Sequence, residues 1–281
     1  MKSGRSFKHI DLGRHMIIEL FGPPGAGKTT FARALVAQLQ RHGHPAELFG
    51  RYRPAEQLSH PGSCAAAPPR HSTVAVVRRL TRPLVEMLTL LRHPLENSRD
   101  IETAANLMTM LPPKNLIWSI RMRQYISRFS HSWYQVSAAD HIVLFDQAYV
   151  QVVCSLAILS GVKDETILAR ALDVAPKADL LIRLSAPPDV LKTRLNERSS
   201  QQGRIERLFE FDLKRNLQSI EIIDRLHNML RRNGRPVICT RSLDSYSLHE
   251  SSERIAQQLL EKFPTQYVES RIMAASRWRY A

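Results

Sequence analysis

The sequence predicts a three-layer α/β fold: a five-stranded parallel sheet with helices on both faces and a helical insertion between strands two and three. Three observations carry this reading. Short, β-branched apolar runs alternate with longer stretches of helical periodicity. Glycine or proline punctuates most joins, at Gly43, Pro176 and Gly234. A glycine-rich octapeptide, Gly22-Pro23-Pro24-Gly25-Ala26-Gly27-Lys28-Thr29, stands between an apolar run and a helical pattern.

Taken in order, residues 1–15 form a basic tail that lacks the apolar core of a secretory signal, so the cytoplasm is the expected compartment. The first strand is 16–21, and the helix that follows the octapeptide opens at Thr30-Phe31-Ala32-Arg33-Ala34-Leu35. The second strand is 46–50. Residues 51–72, rich in Pro, Ala, Ser and His, read as a mobile loop. Helices are expected at 73–91, where Pro83 would kink or split the pattern, at 97–110 and at 115–138. Strands three, four and five are expected at 141–145, 180–185 and 236–240. The whole reads as one domain over 16–263, with 51–139 as the insertion, followed by a second basic tail at 264–281.

Composition narrows the function classes. In 281 residues, 43% hydrophobic, the longest apolar stretch is 152–162, well short of the ~20 residues that a spanning helix needs. The formal charge of +14 is compatible with nucleic acid, an acidic membrane or a multiply phosphorylated substrate. That charge is spread along the chain, with no dominant Lys/Arg block interleaved with aromatics, so a solvated basic surface is favoured over nucleic-acid binding. Cys64, Cys154 and Cys239 have no metal-ligand spacing and read as reduced thiols, two in apolar surroundings and one in a loop.

The octapeptide fits a phosphate-binding P-loop. Its glycines let successive N–H groups converge on the α/β-phosphates of ATP, Lys28 reaches the β/γ oxygens, and the Thr29 hydroxyl ligates Mg²⁺. Thr30 continues into a helix whose positive end lies beneath the anion. The run His141-Ile142-Val143-Leu144-Phe145-Asp146 then reads as a buried strand ending in the carboxylate that would serve Mg²⁺ or the acceptor. The alternative is an aspartate that merely caps a helix from Gln147. Gln147 cannot act as a general base, which favours transfer to a bound acceptor over hydrolysis.

A second cluster follows strand four. Arg194 and Arg198 are four apart on one helix face, and Arg204 and Arg207 lie across a polar, glycine-containing stretch that could close over phosphates. Planar guanidinium groups suit a transferring phosphoryl group. The plainer reading is a salt-bridged surface with Glu197 and Glu206 as partners. The aromatics Trp118, Tyr125, Phe129 and Trp133 fall near one helical stripe, which favours core packing over stacking on a base.

Together, the loop 22–29, the strand ending in Asp146, the segment 178–190 and the arginines Arg194, Arg198 and Arg204 resemble the thymidylate kinase-like branch of P-loop nucleoside and nucleotide kinases. The resemblance implies a lid at 194–207, Asp146 as the acid, Arg123 near the acceptor, and the loop containing Arg241 against the nucleotide base. The chain departs from the family at Gln147, where thymidylate kinases carry Arg, and at Tyr52-Arg53-Pro54, where they carry Arg-Glu-Pro. Both departures, Arg53 and Gln147, fall on the acceptor side. The implied function is a kinase that moves the γ-phosphoryl of ATP to a small-molecule acceptor, a nucleoside monophosphate or related metabolite. The alternatives are a kinase of sugars or other non-nucleotides, a nucleic-acid-associated NTPase, and a regulatory ATP-binding module. A homodimer is compatible with each.

Overall fold

The computed structural model describes residues 16–49, 98–137, 139, 141–201, 213–241 and 243–262. Five strands, β1 (Met16–Phe21), β2 (Ala46–Phe49), β3 (Ile142–Phe145), β4 (Leu180–Ser185) and β5 (Val237–Arg241), form one sheet in the order β2-β3-β1-β4-β5. Every pairing is parallel, with Ile17 opposite Val143, Leu20 opposite Ile182, and Arg183 opposite Cys239. Eight helices accompany them among the described residues: α1 (Lys28–Arg41), α2 (Ser98–Met110), α3 (Leu116–Val136), α4 (Tyr149–Ser160), α5 (Glu165–Val174), α6 (Pro188–Gln201), α7 (Leu213–Arg232) and α8 (Ser245–Lys262).

A parallel sheet is covered on both faces, so its inner strands are apolar throughout rather than alternating. All six residues of β1 and all four of β3 are buried. Side-chain alternation along β1 divides the core. Met16, Ile18 and Leu20 pack with Phe31, Leu35 and Leu39 of α1 and with Ile255 and Leu259 of α8. Ile17 and Phe21 face the other layer, with Leu107 of α2, Ile126 and Trp133 of α3, Val153 of α4, Leu168 of α5 and Leu226 of α7. Each such large side chain contributes roughly 1.5–3 kcal/mol of burial. The result is the three-layer arrangement expected.

Helix ends follow their local chemistry. After α1, His44 N–H donates to Leu39 O and Gly43 N–H to Gln40 O, a Schellman turn that places Gly43 at φ +82°. The same pair of bonds closes α7, from Arg235 to Leu230 and from Gly234 to Arg231, with Gly234 at φ +69°. Asn115 caps α3 by accepting from Ile117 N–H at 2.8 Å. The boundaries expected for β3 and β5 shift by one residue: β3 begins at Ile142, and β5 runs from Val237 through Arg241. Gly50 and the expected loop and helix at 51–91 lie outside the described residues.

Between β2 and β3 stand α2 and α3, packed against each other. The aromatic stripe of α3 is core: Trp133 is stacked on Phe145 at 4.9 Å, and Phe129 meets Tyr149 edge-on at 5.0 Å. No helix among the described residues is long and apolar enough to cross a membrane.

Candidate active site

At the centre of the sheet, β1 and β4 are neighbours whose outgoing chains part. From β1 the chain goes through α1 to β2 on one side; from β4 it goes through α6 and α7 to β5 on the other. Ligands of open α/β sheets bind at such a divergence, outside the carboxyl ends of the strands. The segment Gly22 to Thr29 occupies that position.

Its first glycine is required by contact. A Cβ on Gly22 would lie 2.2 Å from the Leu184 carbonyl oxygen of β4, and the residue sits at φ +154°. Gly25 and Gly27 follow at φ +84° and +83°, which turns the chain into the first turn of α1. Free N–H groups at a helix start carry partial positive charge and suit an anion.

Lys28 opens α1 and is only 6% exposed. Its ammonium donates back to Gly22 O at 2.7 Å and Pro23 O at 3.1 Å, so the charge is held within the loop. The next residue reaches sideways: Thr29 Oγ1 donates to Asp146 Oδ2 at 2.7 Å. Asp146, 6% exposed, stands at the end of β3, the strand beside β1. It does not cap the following helix, which begins at Tyr149 after Ala148 and has no side-chain cap. A hydroxyl and a carboxylate held together are hard oxygen donors of the kind Mg²⁺ takes one or two of, keeping water for its remaining positions. No group of three His, Cys, Asp or Glu that could hold a metal occurs among the described residues.

Arg194 joins this site from α6. Its guanidinium donates to Gly25 O at 3.1 Å and to Leu243 O at 2.8 Å, bracing the glycine loop against the segment after β5. The family resemblance expects Arg194 to face a phosphoryl group, whereas in the structure its guanidinium reaches these two backbone carbonyls. The segment it braces is itself fixed, because Asp244 Oδ1 accepts from Ser247 N–H while Ser247 Oγ accepts from Leu243 and Asp244 N–H. The Ser247 backbone N–H first, and then the Ser247 hydroxyl, hold the Asp244 carboxyl below its ordinary range.

The other expected site residues are distributed around this centre. Thr30 is exposed on α1, Gln147 is half-buried just after Asp146, Arg123 is exposed on α3, and Arg241 is exposed at the end of β5. Arg198 belongs to α6, and nothing is described of its side chain. Arg53, Arg204 and Arg207 lie outside the described residues.

One residue escaped sequence reasoning. Glu19, 1% exposed, projects from β1 into the layer that holds α4, and its Oε1 accepts from Val150 N–H at 2.6 Å. It thereby supplies the N-terminal acceptor that Ala148 lacks. Burial pushes its carboxyl up to about 8, against the pull of the Val150 and Gln151 N–H groups and of Arg235. The signal was a lone acid within Met-Ile-Ile-Glu-Leu-Phe, an otherwise apolar buried strand.

Comparison of the chain with models of known protein families gives no match, and comparison with curated proteins gives no significant relative.

Proposed function

We propose that this chain is a P-loop kinase of the thymidylate kinase-like kind, which transfers the γ-phosphoryl group of ATP to a small acceptor, a nucleoside monophosphate or a related phosphorylated metabolite. The observation that carries the reading is the 2.7 Å bond from Thr29 to Asp146 directly beside buried Lys28. A hydroxyl, a carboxylate and an ammonium are thus gathered at the start of one helix, the donor set that a triphosphate and its Mg²⁺ need.

MgATP, when bound, supplies the phosphoryl group and the cation that neutralises its charge. The chain's own part is positioning and charge neutralisation. N–H groups at the start of α1 hold the phosphates. Lys28 exchanges its bonds to Gly22 O and Pro23 O for phosphate oxygens. The Thr29 hydroxyl and the Asp146 carboxylate would hold Mg²⁺, and Arg194 keeps the Gly25 loop in register with the segment after β5. Gln147 offers no base to activate water, which favours transfer over hydrolysis. Acceptor binding falls to the side of α2 and α3, with Arg123 and Gln147 as its candidates.

The test is a panel of nucleosides, nucleoside monophosphates and sugars supplied with MgATP while the phosphorylated products are identified. Phosphorylation of a nucleoside monophosphate is expected. Products confined to sugars or other non-nucleotides would replace the acceptor assignment, and no product from any acceptor would overturn the reading as a kinase.

A further inference from the structure

Away from the glycine loop, four polar side chains meet on β4, β5 and α7. Cys239 lies on β5, the edge strand, and its thiol is exposed, whereas Cys154 is buried in α4. The expectation of apolar surroundings therefore fails for Cys239. His227, on α7 and 6% exposed, places Nε2 3.2 Å from Cys239 Sγ. Its Nδ1 is 2.9 Å from Arg183 Nη1, and Arg183 Nη2 donates to Asp224.

These contacts fix the tautomer. A guanidinium has no acceptor and keeps its protons, so His227 Nδ1 is the acceptor of that bond. Burial first, and then the charges of Arg183 and Arg231, hold the imidazole below its ordinary pKa against the opposing pull of Asp224. Near neutral pH the ring is therefore uncharged and carries its one proton on Nε2, which faces Sγ. An N–H donor at the sulfur stabilises negative charge there, which is the form that attacks. His227 is a donor to this sulfur rather than a base for it.

The surroundings are cationic. Arg241 lies two residues along β5, so it shares a face of the strand with Cys239, and it is exposed. Arg183 Nε is buried without a hydrogen-bond partner, and Asp224, paired with the same guanidinium, is the acid that opposes.

We propose that Cys239 is a thiol-modification site that undergoes exchange with small anionic disulfides. The thiol proton passes to water and Sγ attacks one sulfur of the disulfide. A new S–S bond forms as the old one breaks, and the departing thiolate leaves with the electron pair and takes up a proton. Cys239 is oxidised to a mixed disulfide while half of the reagent is reduced. The proposal is independent of the kinase reading.

The test uses the full chain with three probes, oxidised glutathione (anionic), hydroxyethyl disulfide (neutral) and cystamine (cationic), and peptide-resolved mass spectrometry of the adduct at Cys239. Oxidised glutathione is expected to modify Cys239 about tenfold faster than it modifies an unstructured cysteine peptide at the same pH. Relative to that peptide, the probes should rank anionic, neutral, cationic, and added salt should compress the spread. His227→Leu is expected to bring the rate down to that of the peptide. If circular dichroism finds that variant unfolded, the wild-type ranking decides alone. A rate no faster than the peptide's, or cystamine preferred over oxidised glutathione, would overturn the proposal.

Discussion

Replacing Gly22 by alanine sets a methyl group against the backbone of the neighbouring strand. The added Cβ would lie 2.2 Å from the Leu184 carbonyl oxygen, where real Cβ atoms essentially never come closer than 3.0 Å. Neither partner yields easily, because Leu184 of β4 is held in register opposite Thr240 of β5, and Gly22 directly follows β1, which pairs with β4. Overpacking of this kind costs about 1–3 kcal/mol. The φ of +154° adds a backbone cost of about 1–3 kcal/mol. The expected loss is therefore about 2–6 kcal/mol, a large share of the roughly 5–15 kcal/mol that keeps a domain folded. Gly43→Ala is the matched control: φ is +82°, but a Cβ there meets nothing within 4 Å, so only about 1 kcal/mol is at stake. Urea titrations followed by circular dichroism, with equal slopes, give both values. A Gly22→Ala loss no greater than that of Gly43→Ala would refute the close approach of the glycine loop to β4.

Two further outcomes rest on polar contacts, one buried at Glu19 and one at half-buried Arg194. Unfolded, the Glu19 carboxyl ionises near 4.5; folded, it keeps its proton to about 8, so the stability of its neutral form is complete below 4.5 and is lost as the pH rises through 8. Glu19→Gln should therefore match wild type near pH 5 and exceed it by at least about 1 kcal/mol at pH 8.5 in the same titration, and parallel pH profiles would contradict this. Arg194→Ala should weaken binding of a fluorescent ATP analogue about tenfold by releasing Gly25 O and Leu243 O, at a cost of about 1 kcal/mol in folding stability. Unchanged affinity would remove Arg194 from the site.

Much of the frame was legible because its signals are local. The strands of a covered parallel sheet are short apolar runs, and Gly43 and Gly234 sit where Schellman turns demand positive φ. The aromatic stripe of α3 announced its core face by spacing alone. What stayed hidden depends on residues far apart in sequence. The sequence marks Asp146 as the acid after strand three, yet its bond to Thr29 spans 117 positions. Spacing puts Arg194 on a helix face, but its carbonyl partners on two other segments follow only from how β1, β4 and β5 stand side by side. The Arg183–His227–Cys239 cluster was invisible for the same reason, since β4, α7 and β5 each contribute one ordinary-looking residue.

Acceptor-dependent release of ADP from MgATP, measured in parallel for the wild-type chain and Lys28→Ala, bears most directly on the central claim. Lys28 is buried and its ammonium donates to the loop's own carbonyls, Gly22 O and Pro23 O, so its loss should leave a folded protein that has lost its phosphate-facing charge. Wild type should release ADP only when a nucleoside monophosphate or related acceptor is present, and Lys28→Ala should be slower by about a hundredfold or more. ADP release that ignores every acceptor, or that survives Lys28→Ala undiminished, would contradict phosphoryl transfer at this loop.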